Sequence, residues 1–275
     1  APALERIAAS SALPAARGQA LWTLHGLGAL TPATVRSALA DTHPGVRRQA
    51  LRLSETFAGK DAALGSAVAA GAKDPDAAVR QQAAYTLGEW PGPEAGQALA
   101  AILQADTDRY IRAAAMSSAL PHAATLLGEL GRGGPELDPL PAFGSVAHLL
   151  DLLQRNNRTL AQLATRGGEP MRAALDGTEA VFTRARAVSS DGKAGAGERV
   201  AAIRLLGRGR KGQEEDFDRL SAMLAAGQPA EVQLAVVAAL GRFNRTTTPE
   251  RLLAGWPGYG PTVRTAVLDL VLARP

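Results

Sequence analysis

The sequence contains no cysteine. That excludes a disulfide framework, a Cys-ligated zinc or iron–sulfur site, a thiol nucleophile and an attached c-type haem within this chain. Aromatic residues make up only 4% of the 275 positions. A core built from this composition consists of thin layers of Ala, Leu and Val, which need little volume per layer. No run of 18 uncharged apolar residues is present, so no membrane-spanning helix and no membrane insertion are expected. Lysine is confined to Lys60, Lys73, Lys193 and Lys211, and arginine supplies most of the positive charge. Arg-for-Lys usage with abundant Ala and Gly reads as a GC-rich coding bias of bacterial type. The net charge of +4 therefore says little about partners. The opening Ala1-Pro2-Ala3-Leu4-Glu5-Arg6 has neither an initiator Met nor a signal peptide, and the chain is read as a piece cut from something longer.

Catalytic and metal motifs are missing as well. His25, His43, His122 and His148 have no partner ligand at i+3 or i+4. There is no HExxH, no G-x-S-x-G and no credible Ser/His/Asp set. Gly207-Arg208-Gly209-Arg210-Lys211-Gly212 spells G-x-G-x-x-G, but a dinucleotide fingerprint needs a strand before it. Here a helical stretch, 198–206, precedes it, so the glycines read as a helix stop and an inter-helix turn. No catalytic residue, cofactor or metal is expected.

What is present is a repeat. An apolar residue, an arginine, a small residue and Leu-Gly recur at fixed offsets. Examples are Val46-Arg47…Ala50, Val79-Arg80…Ala83…Leu87-Gly88 and Ile111-Arg112…Ala115. An earlier copy is Ala16-Arg17…Ala20…Leu24. Later copies centre on Arg199, on Val232-Gln233 and on Val263-Arg264. The copies begin at 16, 46, 79, 111, 198, 232 and 263, in steps of 30, 33, 32, 87, 34 and 31. Turn signals precede them, among them Asp41-Thr42-His43-Pro44-Gly45 and Asp74-Pro75-Asp76. Thr31-Pro32 and Thr248-Pro249 read as N-cap followed by helical proline. Val79, Ala83 and Leu87 share one helical stripe, as do Val232, Val236 and Leu240.

Each unit is thus expected to be an antiparallel helix pair that cannot bury its apolar faces alone. The predicted fold is all-α, an α-solenoid of stacked helix pairs running as one continuous superhelix. Regular repeats are placed at 1–130 and 196–275. An irregular helical segment with Pro/Gly-rich loops is placed at 131–195. The last helix, apolar on nearly all sides at Val263, Ala266, Val267, Leu268, Leu270, Val271 and Leu272, is expected to be covered.

The pattern Asp-Pro-Asp-x-x-Val-Arg…Ala…Leu-Gly over 74–88 resembles the HEAT repeat, in which a turn Asp and a second-helix Arg bond across neighbouring units. Ala16–Gly28, with Tyr85-Thr86-Leu87-Gly88-Glu89-Trp90, resembles the HEAT segment of large exported bacterial proteins. In those, a sorbosone-dehydrogenase-like β-propeller precedes the array and a CxxCH cytochrome c domain follows. This chain has neither. The resemblance implies the middle module of such a protein, an exported or periplasmic location, and redox chemistry lying outside this chain.

Two residue sets stand out. Asp41, Arg47, Asp74, Arg80, Asp106 and Arg112 repeat at a six-residue Asp–Arg spacing, with Arg17 and Arg264 at the same repeat position. They are expected to form a structural ladder in which the carboxylate caps the second helix and accepts from the arginine of the adjacent unit. Arg199, Arg204, Arg208, Arg210 and Lys211 form the densest basic cluster and a possible interaction surface. The acidic run Glu214, Glu215, Asp216 and Asp218 follows it and suits the first turn of a helix. Trp22, Trp90 and Trp256 are expected to fill gaps between repeats. The reading is a non-enzymatic interaction scaffold, presenting a concave face to a protein partner or an adjacent domain of the same polypeptide. The alternative is a HEAT-like nucleic-acid-binding protein of the DNA glycosylase type, with the arginine column facing a groove. A tetrapyrrole-handling HEAT protein fits less well. Nucleic acid is the less favoured partner.

Overall fold

The computed structural model describes residues 1–132, 138–166, 168–224 and 227–273. Among them no strand occurs, and the chain is helical throughout. It divides into two compact units, Ala1–Glu129 and Leu130–Pro275.

The first unit is built from four helix pairs. These are α1 (Pro2–Ser10) with α2 (Pro14–Gly26), α3 (Pro32–Leu39) with α4 (Pro44–Ser54), α5 (Ala62–Ala70) with α6 (Ala77–Thr86), and α7 (Pro93–Ala105) with α8 (Arg109–Ser117). α9 (Ala123–Gly131) follows. First helices pack on first helices, and α2, α4, α6 and α8 make the second layer. Proline opens α2, α3, α4 and α7, where its missing N–H leaves no bond unmade. Thr31, Asp61, Asp76 and Asp108 cap their helices through side-chain oxygens. The core runs between the layers through Leu21, Leu24, Val46, Leu51, Val79, Ala83, Leu87 and Ile111, all essentially sealed from solvent. Each buried Leu or Val stabilises by roughly 1.5–3 kcal/mol relative to leaving it exposed. The alanines between them let the helices approach closely.

The second unit holds α10 (Pro139–Arg155), α11 (Leu160–Arg166), α12 (Gly168–Gly177) and α13 (Glu179–Ser190), then α14 (Ala196–Ile203), α15 (Gln213–Ala222), α16 (Ala230–Leu240), α17 (Thr248–Ala254) and α18 (Pro261–Leu272). α13 pairs with α14, α15 with α16 and α17 with α18, while α10, α14, α16 and α18 pack in sequence. Ala202, Ile203, Leu205, Val232, Val236, Leu240, Val263 and Val267 form its core stripe. The 17-residue α10 packs on α14 within the stretch where the repeat spacing lengthens.

Two cap assignments change. Thr248 is the first helical residue of α17, fully buried, and its hydroxyl donates to the Phe243 carbonyl; Thr247 takes the cap position. The N-caps of α4, α6 and α8 are His43, Asp76 and Asp108, two residues past the aspartates expected there. On α18, Val263 and Val267 face inward and Leu268 and Leu272 are exposed.

Candidate interaction surface

The turns between paired helices decide where the arginine column points. Asp41 Oδ1 accepts the His43 amide at 2.8 Å, Asp74 Oδ1 the Asp76 amide at 2.9 Å, and Asp106 Oδ1 the Asp108 amide at 3.1 Å. Each aspartate thereby closes a short local turn, and the residue two positions after it caps the helix. This corrects the expectation that the same carboxylate does the capping. The carboxylates are then held in place to receive an arginine from the preceding repeat. Arg17 donates through Nε and Nη2 to Asp41, both at 2.7 Å. Arg47 does the same to Asp74 at 2.7 Å, and Arg80 Nε reaches Asp106 at 2.7 Å. The planar guanidinium matches the two carboxylate oxygens, which a lysine could not do.

The remaining guanidinium nitrogen turns back on its own unit. Arg47 Nη1 donates to the Asp41 carbonyl at 3.0 Å, Arg80 Nη1 to the Asp74 carbonyl at 3.0 Å, and Arg112 Nη1 to the Asp106 carbonyl at 3.2 Å and to that of Leu103. Every intermediate aspartate thus takes one arginine on its carboxylate and the next on its carbonyl. The Arg17 guanidinium holds the Asp41 carboxyl below its ordinary value against the opposing effect of burial. At Asp74 burial pushes the carboxyl up, but the Arg47 guanidinium and the Asp76 amide outweigh it. Burial lowers the Arg112 guanidinium, with Asp106 opposing.

Arg264 departs from this pattern. Among the described residues its buried Nε has no acceptor and it pairs with no carboxylate; the guanidinium lies 5.4 Å above the Trp256 ring. Six residues before it stands Gly258, so that turn offers no aspartate carboxylate of the kind Asp41, Asp74 and Asp106 supply, and the preceding copy carries Gln233 rather than an arginine.

The basic cluster does not form one surface. Arg199 is buried, donating to the Ser189 carbonyl at 3.2 Å and to Gln228 Oε1 at 2.8 Å. It occupies the ladder position of its repeat, so its placement on an interaction surface is corrected. Arg208 turns to Asp151 at 2.6 Å and to the Ala147 carbonyl at 3.2 Å. Arg210 meets Asp176 at 3.2 Å, while Arg204 and Lys211 are exposed. Glu214, Glu215 and Asp216 occupy the first turn of α15 as their charge suits. Asp216, however, is 1% exposed and bonds Arg186 at 2.7 Å. The Arg186–Asp216 pair was missed from the sequence. Its separation of 30 residues lies within the range of the repeat steps, and that was the available signal.

The outer glycines of the G-x-G-x-x-G stretch are committed to the fold. Gly207 and Gly212 both have positive φ, +76° and +71°. A Cβ on Gly207 would lie 2.2 Å from the Phe243 ring, and one on Gly212 would lie 2.7 Å from the Arg186 guanidinium. The Gly207 amide donates to the Asp216 carboxylate at 2.8 Å, so the protein's own acid already occupies the amide of this loop.

The histidines have structural places. His43 caps α4 through Nδ1, His25 meets Trp22 edge-on, and His148 is exposed. His122 is buried with Nε2 3.0 Å from the Leu87 carbonyl, and burial pushes its pKa down, so the neutral ring donates there. Among the described residues no cluster of His, Asp or Glu could hold a metal, and no helix is long and apolar enough to cross a membrane.

With the ladder turned inward, the outward face of the second layer is left for contact. Trp22, Arg52 and Tyr85 take the same position on α2, α4 and α6, each five residues past its ladder arginine. Tyr85 is 49% exposed, Tyr110 on α8 is 58% exposed with the Arg109 guanidinium over its ring, and Arg48 and Arg52 are open to solvent. A groove of about 510 Å³ between α2 and α4 is lined by Pro14, Gly18, Gln19, Trp22, His43 and Gln49, and Trp22 Nε1 donates to Gln49 at 2.9 Å. Trp90 is buried and donates to Ser54, and Trp256 is half-buried. The tyrosines were missed from sequence because nothing there separates an exposed aromatic from a core one.

Stacked helix pairs joined by inter-repeat bonds define an all-α helical-repeat protein. Residues 32–119, the three pairs from α3 to α8, match the family model of HEAT repeats. That stretch is similar to HEAT repeats, which generally serve as protein-interaction scaffolds. A search of curated proteins finds no match.

Proposed function

We propose that this chain is a non-enzymatic interaction module. It presents the outward face of its second-helix layer to a protein partner or to an adjacent domain of the same polypeptide. The observation that carries this reading is the row Trp22, Arg52 and Tyr85, joined by exposed Arg48, Arg109 and Tyr110. Trp, Tyr and Arg are the residue types enriched at protein interfaces and at their energetic centres. The inward ladder speaks against the glycosylase-like alternative, because Arg17, Arg47 and Arg80 are already bonded to carboxylates and are not free to read phosphates. The proposal extends to context: a module from a larger bacterial exported, redox-type protein, with a propeller before it and a haem domain after it, placed in the periplasm. The resemblance over 16–28 and 85–90 supports that context.

The test is co-purification from the source cell with the tagged chain, beside the Arg52→Ala/Tyr85→Ala variant. Both positions are exposed, so the variant should melt as the parent does. A partner that is retained by the parent and lost at least tenfold with the variant is the expected result. A partner retained equally by both, or a salt-dependent affinity for duplex DNA lost with Arg48→Ala, would overturn the reading.

A further inference from the structure

The second unit carries a pocket that the scaffold reading does not use. A cavity of about 240 Å³ is lined by Leu150, Leu153 and Gln154 of α10, by Arg158, Thr159 and Leu160, and by Gly207, Arg208 and Arg242. Three arginines from three separate stretches of chain line it. Arg208 is tied to Asp151 at 2.6 Å and to the Ala147 carbonyl, which aims it along α10. Arg242 is anchored through Nη2 alone, donating to the Leu206 carbonyl at 3.1 Å and the Arg204 carbonyl at 3.2 Å. Only Nη2 has an acceptor among the described residues, and the side chain is exposed to solvent. The exposed Arg158 side chain has no acceptor among the described residues either.

This arrangement gathers positive charge from three stretches of chain at one cavity. Arg242 is exposed at the mouth of this cavity, and the protein around it, then the Arg208 charge, push its pKa down to about 10, with Asp151 opposing. Among the described residues one carboxylate, Asp151, pairs with any of the three, and it is bonded to Arg208. A structural ion-pair network would pair each guanidinium, as the ladder does. A binding pocket keeps donors unspent, and forked guanidiniums match the oxygens of a tetrahedral oxyanion.

We propose that this pocket binds a phosphate dianion, free or as the terminal group of a phosphate monoester. Arg158 and Arg242 supply the unspent donors, Arg208 contributes charge, and the leucines wall one side. The site is independent of the protein-binding face on the first unit.

The experiment is calorimetric titration of the full chain with inorganic phosphate, with chloride balancing the ionic strength, followed by glycerol phosphate. Saturable one-to-one binding is expected. Arg158→Ala should weaken it about tenfold, the loss of one charge-assisted bond. Asp151→Asn should strengthen it severalfold, because Arg208 is released from its own carboxylate. Arg36→Ala, exposed on α3, should leave it unchanged. Tighter binding of glycerol phosphate than of phosphate assigns a monoester, and the reverse assigns the free ion. Absence of saturable binding, equal losses with Arg36→Ala and Arg158→Ala, or no tightening with Asp151→Asn would overturn the proposal.

Discussion

In the first unit three second-helix arginines reach forward to a carboxylate one repeat on, Arg17 to Asp41, Arg47 to Asp74 and Arg80 to Asp106. In the second unit the arginine at that position, Arg199, reaches the neutral amide of Gln228, the next copy carries Gln233 there, and Arg264 rests over Trp256. The charged tie has moved to the first helices, where Arg186 of α13 meets Asp216 of α15. Both units therefore hold successive repeats with an arginine, but at different depths. The first-unit carboxylates keep some contact with solvent, whereas Asp216 is sealed. An ion pair is tolerated in either place only because its remaining polar atoms are matched, by turn amides at Asp41, Asp74 and Asp106 and by the Gly207 amide at Asp216.

The sharpest break of this comparison is Arg186→Ala. It strands a sealed carboxylate and should cost about 3–5 kcal/mol in chemical denaturation, against about 1–3 kcal/mol for Arg80→Ala in the partly exposed ladder. Equal losses for the two would mean that depth does not matter here.

Asp74→Asn should cost about 1–3 kcal/mol, since it weakens a two-bond ion pair while the Asp76 amide keeps an acceptor. The pH dependence has a definite sign. Asp41 and Asp74 carry folded pKa values below the ordinary 3.8. Their contribution is present above that value and is lost as pH falls through the lower folded values. Acid melts should therefore show the parent losing stability below about pH 4, more steeply than Asp74→Asn does. Parallel acid profiles would contradict the assignment.

The smallest expected change sharpens the contrast from the other side. Gln228→Glu places a carboxylate opposite Arg199 and near the start of α16, and should stabilise by about 0.5–1 kcal/mol. That gain should shrink in high salt, whereas Gln228→Ala should lose a comparable amount with no salt dependence.

The Asp–Arg spacing was readable because it repeats. Three consecutive turns place Asp, then Arg six residues later, and a spacing that recurs with the repeat reports a contact between repeats. Which atom does what was not readable. The offset alone could not separate an aspartate that caps the helix from one that closes the turn two residues earlier, since both sit within one turn of the helix start. Arg199 was grouped with Arg204, Arg208, Arg210 and Lys211 because nearness in sequence resembles a patch. Helical geometry instead sends these side chains to different neighbours, the first into the stack and Arg208 onto α10.

By itself the sequence determined the all-α repeat, the helix pairs of the first unit and the absence of cysteine chemistry. Period, turn residues and composition are local properties, and local properties are written along the chain. Only the tertiary structure decided that the arginine column is inward and spent, that Asp216 is buried beside Arg186, and that Arg158, Arg208 and Arg242 share one pocket with donors left over. Those outcomes depend on which side chains meet across 30 or more residues of intervening chain, and on which of them lose water when they meet.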